Sequence, residues 1–317
     1  MLKIFCRRTL FLSVLISVFL VVFPAAGQGR EVLRFGVLPV VDTLPLFVGE
    51  DRGFFRDQGI ELEIISFQSA LERDAALQAG KLNGYFGDIL NTLLLIRSQQ
   101  ALGIMTTAFQ THPDYRMFAL VSAPKSGIRD LSGLKGKQVA ISRATIIEYL
   151  LDRILSTRGK RPEFVEKLEI KKMAIRLQML LTGQVPAALL PEPLVTLAET
   201  KGAHVVMDDR VLDTALTVLA LKRDMAEKDA SLVKRFLRAY SKAVEVINSD
   251  PESCKGVLLT KTRFPGVIKD QYRIPQFPTV GLPAPKDLES AQTWLIRNGL
   301  IKTRLPSDQA VLKTALP

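Results

Sequence analysis

Hydrophobic and polar positions along this chain alternate between strand and helix patterns, and most predicted strands lead directly into a helix. Residues 33–38 form an apolar strand, and the turn 39–43 then opens a helix through Leu46 and Val48. Residues 60–65 begin by alternating apolar and glutamate side chains, which is typical of a half-buried strand. In an open α/β sheet such junctions line one crevice, where free backbone N–H groups meet a small polar ligand.

The same order of elements continues through the rest of the chain and predicts an α/β fold. Two of the predicted helices end at Gly80 and Gly183, as helices commonly do. The prolines between 275 and 285 predict an extended segment. The further strands are predicted at 85–86, 118–122, 139–141, 167–173, 187–190 and 215–221, and the further helices at 146–155, 194–201, 230–248, 251–260 and 286–298.

Two parts of the chain repeat the same order of elements. A helix, Gly80, a strand, Asp88 and a helix correspond to a helix, Gly183, a strand, Glu192 and a helix. The repeat predicts two similar α/β lobes that face each other, with a carboxylate at the same strand-to-helix turn in each.

The first 27 residues have the features of a secretory signal peptide. They contain a basic start, an apolar run at 10–23 and the small residues 25–27 before a cleavage site. The apolar run is short for a transmembrane helix, although an uncleaved anchor is the alternative interpretation. The expected product is therefore exported through a cleaved signal peptide and is periplasmic.

Cysteine content and charge exclude several classes of protein. Cys6 lies in the predicted signal peptide, so Cys254 is the only remaining thiol and no intramolecular disulfide is possible. Removing Lys3, Arg7 and Arg8 lowers the formal net charge from +11 to +8. No basic run of five residues remains, which favours a solvated basic surface over a nucleic-acid interface.

The residue patterns of common enzymes are absent from the sequence. His112 and His204 lie far apart and have no metal-ligand spacing. The chain contains neither a Gly-x-Ser-x-Gly elbow nor a phosphate-binding Gly-x-x-x-x-Gly-Lys-Ser/Thr loop. We therefore expect a protein that is not an enzyme, with no metal site and no cofactor.

Polar residues at the strand-to-helix turns are the candidates for ligand contact. Asp42, Asp88 and Glu192 stand at such turns, and each has the alternative role of a helix N-cap. The turn 142–145 also has these two interpretations. The three carboxylates favour a ligand rich in N–H donors, such as an aminopyrimidine, whereas Arg143 and the helix termini would favour an anion.

Five short runs resemble the periplasmic substrate-binding proteins of ABC importers, in the group that serves nitrate, sulfonates, taurine and thiamine-type pyrimidines. The resemblance covers about residues 33–300. These runs are Leu44-Pro45-Leu46-Phe47-Val48-Gly49-Glu50, Arg52-Gly53-Phe54-Phe55, Leu77-Gln78-Ala79-Gly80-Lys81-Leu82-Asn83-Gly84, Leu134-Lys135-Gly136-Lys137 and Leu189-Leu190-Pro191-Glu192-Pro193-Leu194.

The resemblance implies a two-lobe type II periplasmic-binding fold with two crossover segments and a ligand held between the lobes. Lobe one would comprise 33–118 and 220–317, and lobe two 119–219. The implied partners are a small-molecule ligand and an ABC permease with its ATPase, and the protein would be a monomer. The implied ligand-binding residues are Asp42, Thr43, Ser69, Gly87, Asp88, Ser142, Arg143, Thr145 and Glu192.

The leading hypothesis is therefore a receptor that binds an aminopyrimidine-like or sulfonate-like molecule and delivers it to an importer. One alternative is an enzyme on the same fold that acts on a small organic acid, as chorismate dehydratase does. Another is a ligand sensor for a membrane receptor kinase. Yeast-type relatives that build a pyrimidine from their own histidine carry a cysteine cluster, which this sequence lacks.

Overall fold

The computed structural model describes residues 31–98 and 101–312, and the predicted signal peptide lies outside these ranges. The strands are β1 Glu31–Val37, β2 Ile60–Ser66, β3 Gly84–Asp88, β4 Leu102–Gln110, β5 Phe118–Ser122, β6 Gln138–Ile141, β7 Glu166–Glu169, β8 Ala187–Pro191, β9 His204–Asp208 and β10 Ala215–Lys222. The helices are α1 Leu44–Asp51, α2 Phe54–Asp57, α3 Ala70–Gln78, α4 Ile89–Arg97, α5 Ile146–Ser156, α6 Met173–Leu181, α7 Leu194–Thr200, α8 Arg223–Lys228, α9 Leu232–Ser249, α10 Lys255–Lys261, α11 Pro285–Arg297 and α12 Ser307–Ala310.

Two five-stranded sheets organise the molecule, and we call the parts built on them the first and second lobes. The first sheet has the strand order β2-β1-β3-β10-β4, and the second has the order β7-β6-β8-β5-β9. Strands β1, β2 and β3 are parallel, as are β6, β7 and β8. Strand β10 runs antiparallel to β3 and β4, and β5 runs antiparallel to β8 and β9. The predicted two-lobe α/β fold is confirmed.

The chain crosses between the lobes twice, from β4 to β5 and from β9 to β10. Thr111 and Thr214 join the two crossing segments. The backbone N–H of Thr111 donates to the carbonyl of Thr214 over 3.0 Å, and the backbone N–H of Thr214 donates to Thr111 Oγ1 over 2.9 Å. These bonds hold the crossing segments side by side, which fixes where the lobes meet.

The main hydrophobic core lies between the sheets and the helices that cover them. In the first lobe, the rings of Phe35 on β1 and Phe236 on α9 stack with centroids 5.4 Å apart. Helix α9 has a continuous buried face, which explains why its periodic apolar pattern predicted a helix. Within the described ranges, no helix has the length and apolar character needed to cross a membrane.

The structure corrects two of the predicted elements and adds others, of which β4 is the longest strand. The strand predicted at 167–173 ends at Glu169, because α6 already begins at Met173. The helix predicted at 251–260 is a short 3-10 turn, Glu252–Cys254, followed by α10. Strand β4 was not predicted, because it is buried on both faces and therefore shows no alternation of polar and apolar residues.

The chain contains an internal repeat with a constant offset of 103 residues. Its first copy is helix α3 with strand β3, and its second copy is helix α6 with strand β8. The helices begin at 70 and 173 and the strands end at 88 and 191, so each pair differs by 103. Gly80 and Gly183 share this offset and have φ angles of 73° and 74°, in the left-handed region that favours glycine. The counterpart of Asp88 is therefore Pro191, and the predicted pairing with Glu192 is wrong by one residue.

Candidate functional site

A cavity of about 60 Å³ lies between the lobes, at the junctions where strands lead into helices. Phe86 and Phe118 are among its apolar lining residues. The polar side chains that the first lobe contributes are those of Asp42, Ser69, Asp88 and Thr217. The second lobe contributes those of Ser142, Thr145, Lys171 and Arg176. Mostly apolar walls with a few convergent polar groups are typical of a small-molecule site.

Five of the nine predicted ligand-binding residues line this cavity, and four do not. Those that line it are Asp42, Ser69, Asp88, Ser142 and Thr145. Thr43, Gly87, Arg143 and Glu192 lie outside its lining. The ligand contacts themselves remain a prediction for all nine residues.

Asp42 lies on a short 3-10 turn between β1 and α1 and is 3% exposed. Its Oδ2 accepts a hydrogen bond of 3.0 Å from Thr217 Oγ1. Burial raises the pKa of Asp42 to about 7, although the bond from Thr217 opposes this change. Near neutral pH this carboxyl group therefore exchanges between its protonated and ionised forms, and it can either donate or accept a hydrogen bond in the cavity.

Asp88 ends β3 and is the N-cap of α4. Its Oδ1 accepts the backbone N–H of Asn91 over 2.7 Å, so the capping interpretation is correct for this residue. Burial nevertheless raises the pKa of Asp88 to about 6. Asp88 thus lines the cavity and caps α4 at the same time.

Ser69 and Thr145 are also helix caps that line the cavity. Ser69 Oγ accepts the backbone N–H of Glu72 over 3.3 Å at the start of α3. Thr145 Oγ1 accepts the backbone N–H of Ile147 over 3.2 Å at the start of α5 and donates to the carbonyl of Ser142 over 2.8 Å. These hydroxyl groups are thus held by local structure, which fixes their positions before any ligand arrives.

Arg143, Gly87 and Thr43 were predicted to bind ligand but lie outside the cavity lining, and each has a structural contact there. Arg143 Nη2 donates to the carbonyl of Lys167 over 3.1 Å, and the side chain is 51% exposed. A Cβ atom on Gly87 would lie 2.5 Å from the ring of Tyr85, so this position has no room for a side chain. Thr43 is buried, and its hydroxyl donates to the carbonyl of Val40 over 2.7 Å.

Glu192 lies beside the first crossing segment and lines a separate cavity of about 250 Å³ with Arg116 and Tyr272. Its Oε1 accepts from Arg116 Nε over 2.9 Å, and its Oε2 accepts from both the backbone N–H and the hydroxyl of Thr196. Burial raises the pKa of Glu192 although Arg116 opposes this change. Pro191 lines the interlobe cavity in place of Glu192, because successive side chains of a strand point to opposite faces.

Three polar residues that line the cavity were not predicted from the sequence: Thr217, Lys171 and Arg176. Thr217 comes from β10, which is 175 residues from Asp42 in the chain. Lys171 is exposed, and its Nζ lies 3.7 Å from Glu169 Oε1. Arg176 is 0% exposed and sits on α6. No group of His, Cys, Asp and Glu side chains suited to a metal ion occurs in the described part of the chain.

Sequence comparison assigns the family. The sequence model described as "NMT1/THI5 like" matches residues 41–254, about two thirds of the chain. This chain belongs to the NMT1/THI5-like family. The NMT1/THI5-like protein is also 26% identical over 231 residues to a putative aliphatic sulfonates-binding protein of Bacillus subtilis, which covers 69% of this chain and 67% of the relative.

Solved structures share the fold of this NMT1/THI5-like protein. The ligand-binding component of an ABC-type import system from Staphylococcus aureus has a TM-score of 0.77 at 15% identity, over 90% of this chain and 98% of the other. The periplasmic aliphatic sulphonate-binding protein SsuA of Escherichia coli has a TM-score of 0.74 at 18% identity, over 89% and 97%. These likenesses confirm the two-lobe periplasmic-binding fold.

Two enzymes are also similar to this NMT1/THI5-like protein. A Schizosaccharomyces pombe 4-amino-5-hydroxymethyl-2-methylpyrimidine phosphate synthase is 26% identical over 96 residues, which are 30% of this chain and 27% of the enzyme. The desulfurization enzyme DSZB has a TM-score of 0.66 at 16% identity, over 90% of this chain and 98% of the enzyme. The fold is thus shared by proteins named as receptors and proteins named as enzymes.

Proposed function

We propose that this protein is an extracytoplasmic solute receptor that binds a small polar organic molecule and delivers it to an ABC importer. The observation that carries the proposal is the interlobe cavity, whose polar lining comes from both lobes. A ligand that touches both walls stabilises the closed arrangement over an open one, because its contacts with the second wall exist only when the lobes are together.

The two walls of the cavity support two classes of ligand. Asp42 and Asp88 offer hydrogen-bond acceptors to the N–H groups of an aminopyrimidine-like ligand. Lys171 and Arg176 offer positive charge to a sulfonate-like ligand, and the name of the Bacillus subtilis relative supports this class. A small ligand is favoured in either case, since the cavity of about 60 Å³ is far below the roughly 300–1,000 Å³ of drug-sized sites.

The proposed receptor has two lobes: residues 33–118 and 220–317 form the first, and residues 119–219 form the second. It acts as a monomer, and its partner is an ABC permease with its ATPase. Its proposed location is the periplasm, reached through a cleaved signal peptide at 1–27. The relatives named as import components and periplasmic proteins support both the partner and the location.

Thermal unfolding of the purified protein with a panel of ligands tests the receptor function. The panel comprises 4-amino-5-hydroxymethyl-2-methylpyrimidine, taurine, short alkanesulfonates and nitrate. A ligand at about 100 times its dissociation constant stabilises a one-site receptor by roughly 2.7 kcal/mol, which raises Tm by several degrees. Solution scattering with the active ligand should then show a smaller radius of gyration. A binding ligand that leaves the radius unchanged would contradict the closure mechanism.

An enzyme on the same fold is the second candidate, and Asp42 is the observation that favours it. Its pKa of about 7 is suited to general acid–base work near neutral pH. Each ligand that binds should be incubated with the protein and the mixture analysed for products by mass spectrometry. Product formed by the wild type and lost in Asp42→Asn, with binding retained, would establish an enzyme. A ligand that is unchanged after long incubation would argue against an enzyme and favour the receptor function.

A further inference from the structure

Arg176 is a buried cation in the wall of the cavity, and no acidic side chain of residues 31–98 and 101–312 pairs with it. Its Nε and Nη2 donate to the carbonyl of Ile170 over 3.1 and 2.7 Å, and its Nη1 donates to the carbonyl of Leu189 over 3.2 Å. Both acceptors, the carbonyls of Ile170 and Leu189, are neutral. Burial lowers the pKa of Arg176 to about 10, so the guanidinium keeps its charge at neutral pH.

The internal repeat contains a second buried arginine, Arg73, at the equivalent position of the first lobe. Its Nη1 donates to the carbonyl of Phe86 over 2.7 Å, and Phe86 and Leu189 are also 103 residues apart. The Nε and Nη2 of Arg73, however, donate to the carboxylate of Asp74 over 3.0 and 2.7 Å. The first lobe therefore neutralises its buried arginine with the next residue along the helix.

The second lobe has no acid at the equivalent positions. The counterpart of Asp74 is Leu177, and the counterpart of Asp88 is Pro191, so both acids are replaced by apolar residues. Arg73 is absent from the cavity lining, whereas Arg176 is part of it. Both lobes thus contain a buried arginine at the equivalent position. In the described part of the chain, the arginine that lines the cavity is the one without an acidic partner.

Arg176 also keeps donors that the protein does not use. A guanidinium has five N–H groups, and three of them donate to carbonyls. No hydrogen bond or ion pair among residues 31–98 and 101–312 uses the other two, one on Nη1 and one on Nη2. One remaining N–H group on each Nη nitrogen is thus available to a pair of oxygen atoms on a sulfonate or a carboxylate.

We propose that Arg176 is the anion-binding residue of the cavity and that the ligand presents an oxyanion group, a sulfonate or a carboxylate, to its free N–H groups. This inference rests on the proposed receptor function and adds to it the charge and the orientation of the ligand. The oxyanion end faces α6 in the second lobe, and the end with N–H or O–H donors faces Asp42 and Asp88 in the first lobe.

Calorimetric titration with ethanesulfonate, propionate and the neutral 1-propanol tests the proposal on the wild-type protein. At least one anion should bind, and it should bind more tightly than 1-propanol. The anion that binds more tightly identifies the oxyanion group. Equal or tighter binding of 1-propanol would overturn the inference without any variant. Binding of the neutral pyrimidine alone would also overturn it, while the receptor function would stand.

Three variants then locate the charge. Leu177→Asp restores in the second lobe the acid that the first lobe has, and it should weaken anion binding by roughly tenfold or more relative to Leu177→Asn. The asparagine variant controls for placing a polar group at this buried position. Arg176→Met should abolish anion binding, and circular dichroism should confirm that each variant is folded. Anion affinity that is equal in the aspartate and asparagine variants would overturn the role of Arg176.

Discussion

The Asp42 carboxyl group should make the stability of this protein depend on pH, and Asp42→Asn should remove that dependence. Asparagine has nearly the shape of a protonated aspartic acid and can still accept the hydrogen bond from Thr217. The substitution therefore removes the titration and keeps the packing.

The magnitude follows from the change in pKa. Burial raises the pKa of Asp42 from 3.8 to about 7, and each pKa unit corresponds to about 1.36 kcal/mol, so the full effect is about 4 kcal/mol. Between about pH 4 and pH 7 the folded state holds a proton that the unfolded state has released. The contribution of Asp42 is therefore fully favourable below pH 4, and it is lost as pH rises to about 7. A loss of this size is a large part of a typical free energy of unfolding of 5–15 kcal/mol.

Urea unfolding at a series of pH values from 4.5 to 8.5 measures the effect. The free energy of unfolding of Asp42→Asn minus that of the wild type should rise by about 3 kcal/mol across this range, because about 1 kcal/mol of the full effect is already lost at pH 4.5. Taking the difference cancels the other titrating acids, including Asp88 and Asp209, whose pKa values burial also raises, to about 6 and about 7. Asp130→Asn, at an exposed site, is the control and should show no such rise. A difference that stays constant within about 1 kcal/mol would refute the reasoning about Asp42.

Three further outcomes are expected. Affinity for an anionic ligand should fall as pH rises through about 7, because Asp42 then gains a negative charge beside the ligand. Calorimetric titrations in buffers of different ionisation enthalpy should show proton uptake on binding, and proton release would contradict this prediction. Glu192→Gln should lower the free energy of unfolding by roughly 1–3 kcal/mol, because Arg116 loses the more buried of its two charge partners and keeps only Glu199. Ligand affinity should stay within about twofold, and a tenfold loss of affinity would place Glu192 in the site after all. Gly87→Ala should lower the free energy of unfolding by roughly 1–3 kcal/mol, because its Cβ would meet the ring of Tyr85, and an unchanged Tm would show that the ring moves aside freely.

The order of helices and strands could be predicted from the sequence because it follows from local periodicity and from glycine. The glycines at 80 and 183 end helices at left-handed residues, and α9 carries a regular apolar stripe. Strand β4 could not be predicted in this way. It is buried on both faces by elements that come from distant parts of the chain, and such a strand has no polar side to show in its sequence.

The helix caps in the cavity wall could also be predicted, whereas its tertiary contacts could not. Ser69, Asp88 and Thr145 have side chains suited to the role and stand directly before a helix, so their positions follow from local sequence. Thr217 enters the cavity only because β10 returns from the second lobe to pair with β3. The pairing of β10 with β3 depends on the topology of the whole chain, so the residues around Thr217 do not indicate it.

The position of Glu192, one residue beyond the end of strand β8, decides which side chain lines the second-lobe wall of the cavity. Counting from the glycines placed an acid at the same turn in both lobes, but strand β8 ends at Pro191 and its side chains alternate between two faces. Glu192 therefore faces Arg116 beside the crossing segment, and the cavity receives a proline instead. The acids of the cavity wall then belong to the first lobe alone. Since Arg176 remains in the opposite wall, the two lobes offer a ligand opposite charge, and a molecule with donors at one end and an oxyanion at the other matches both.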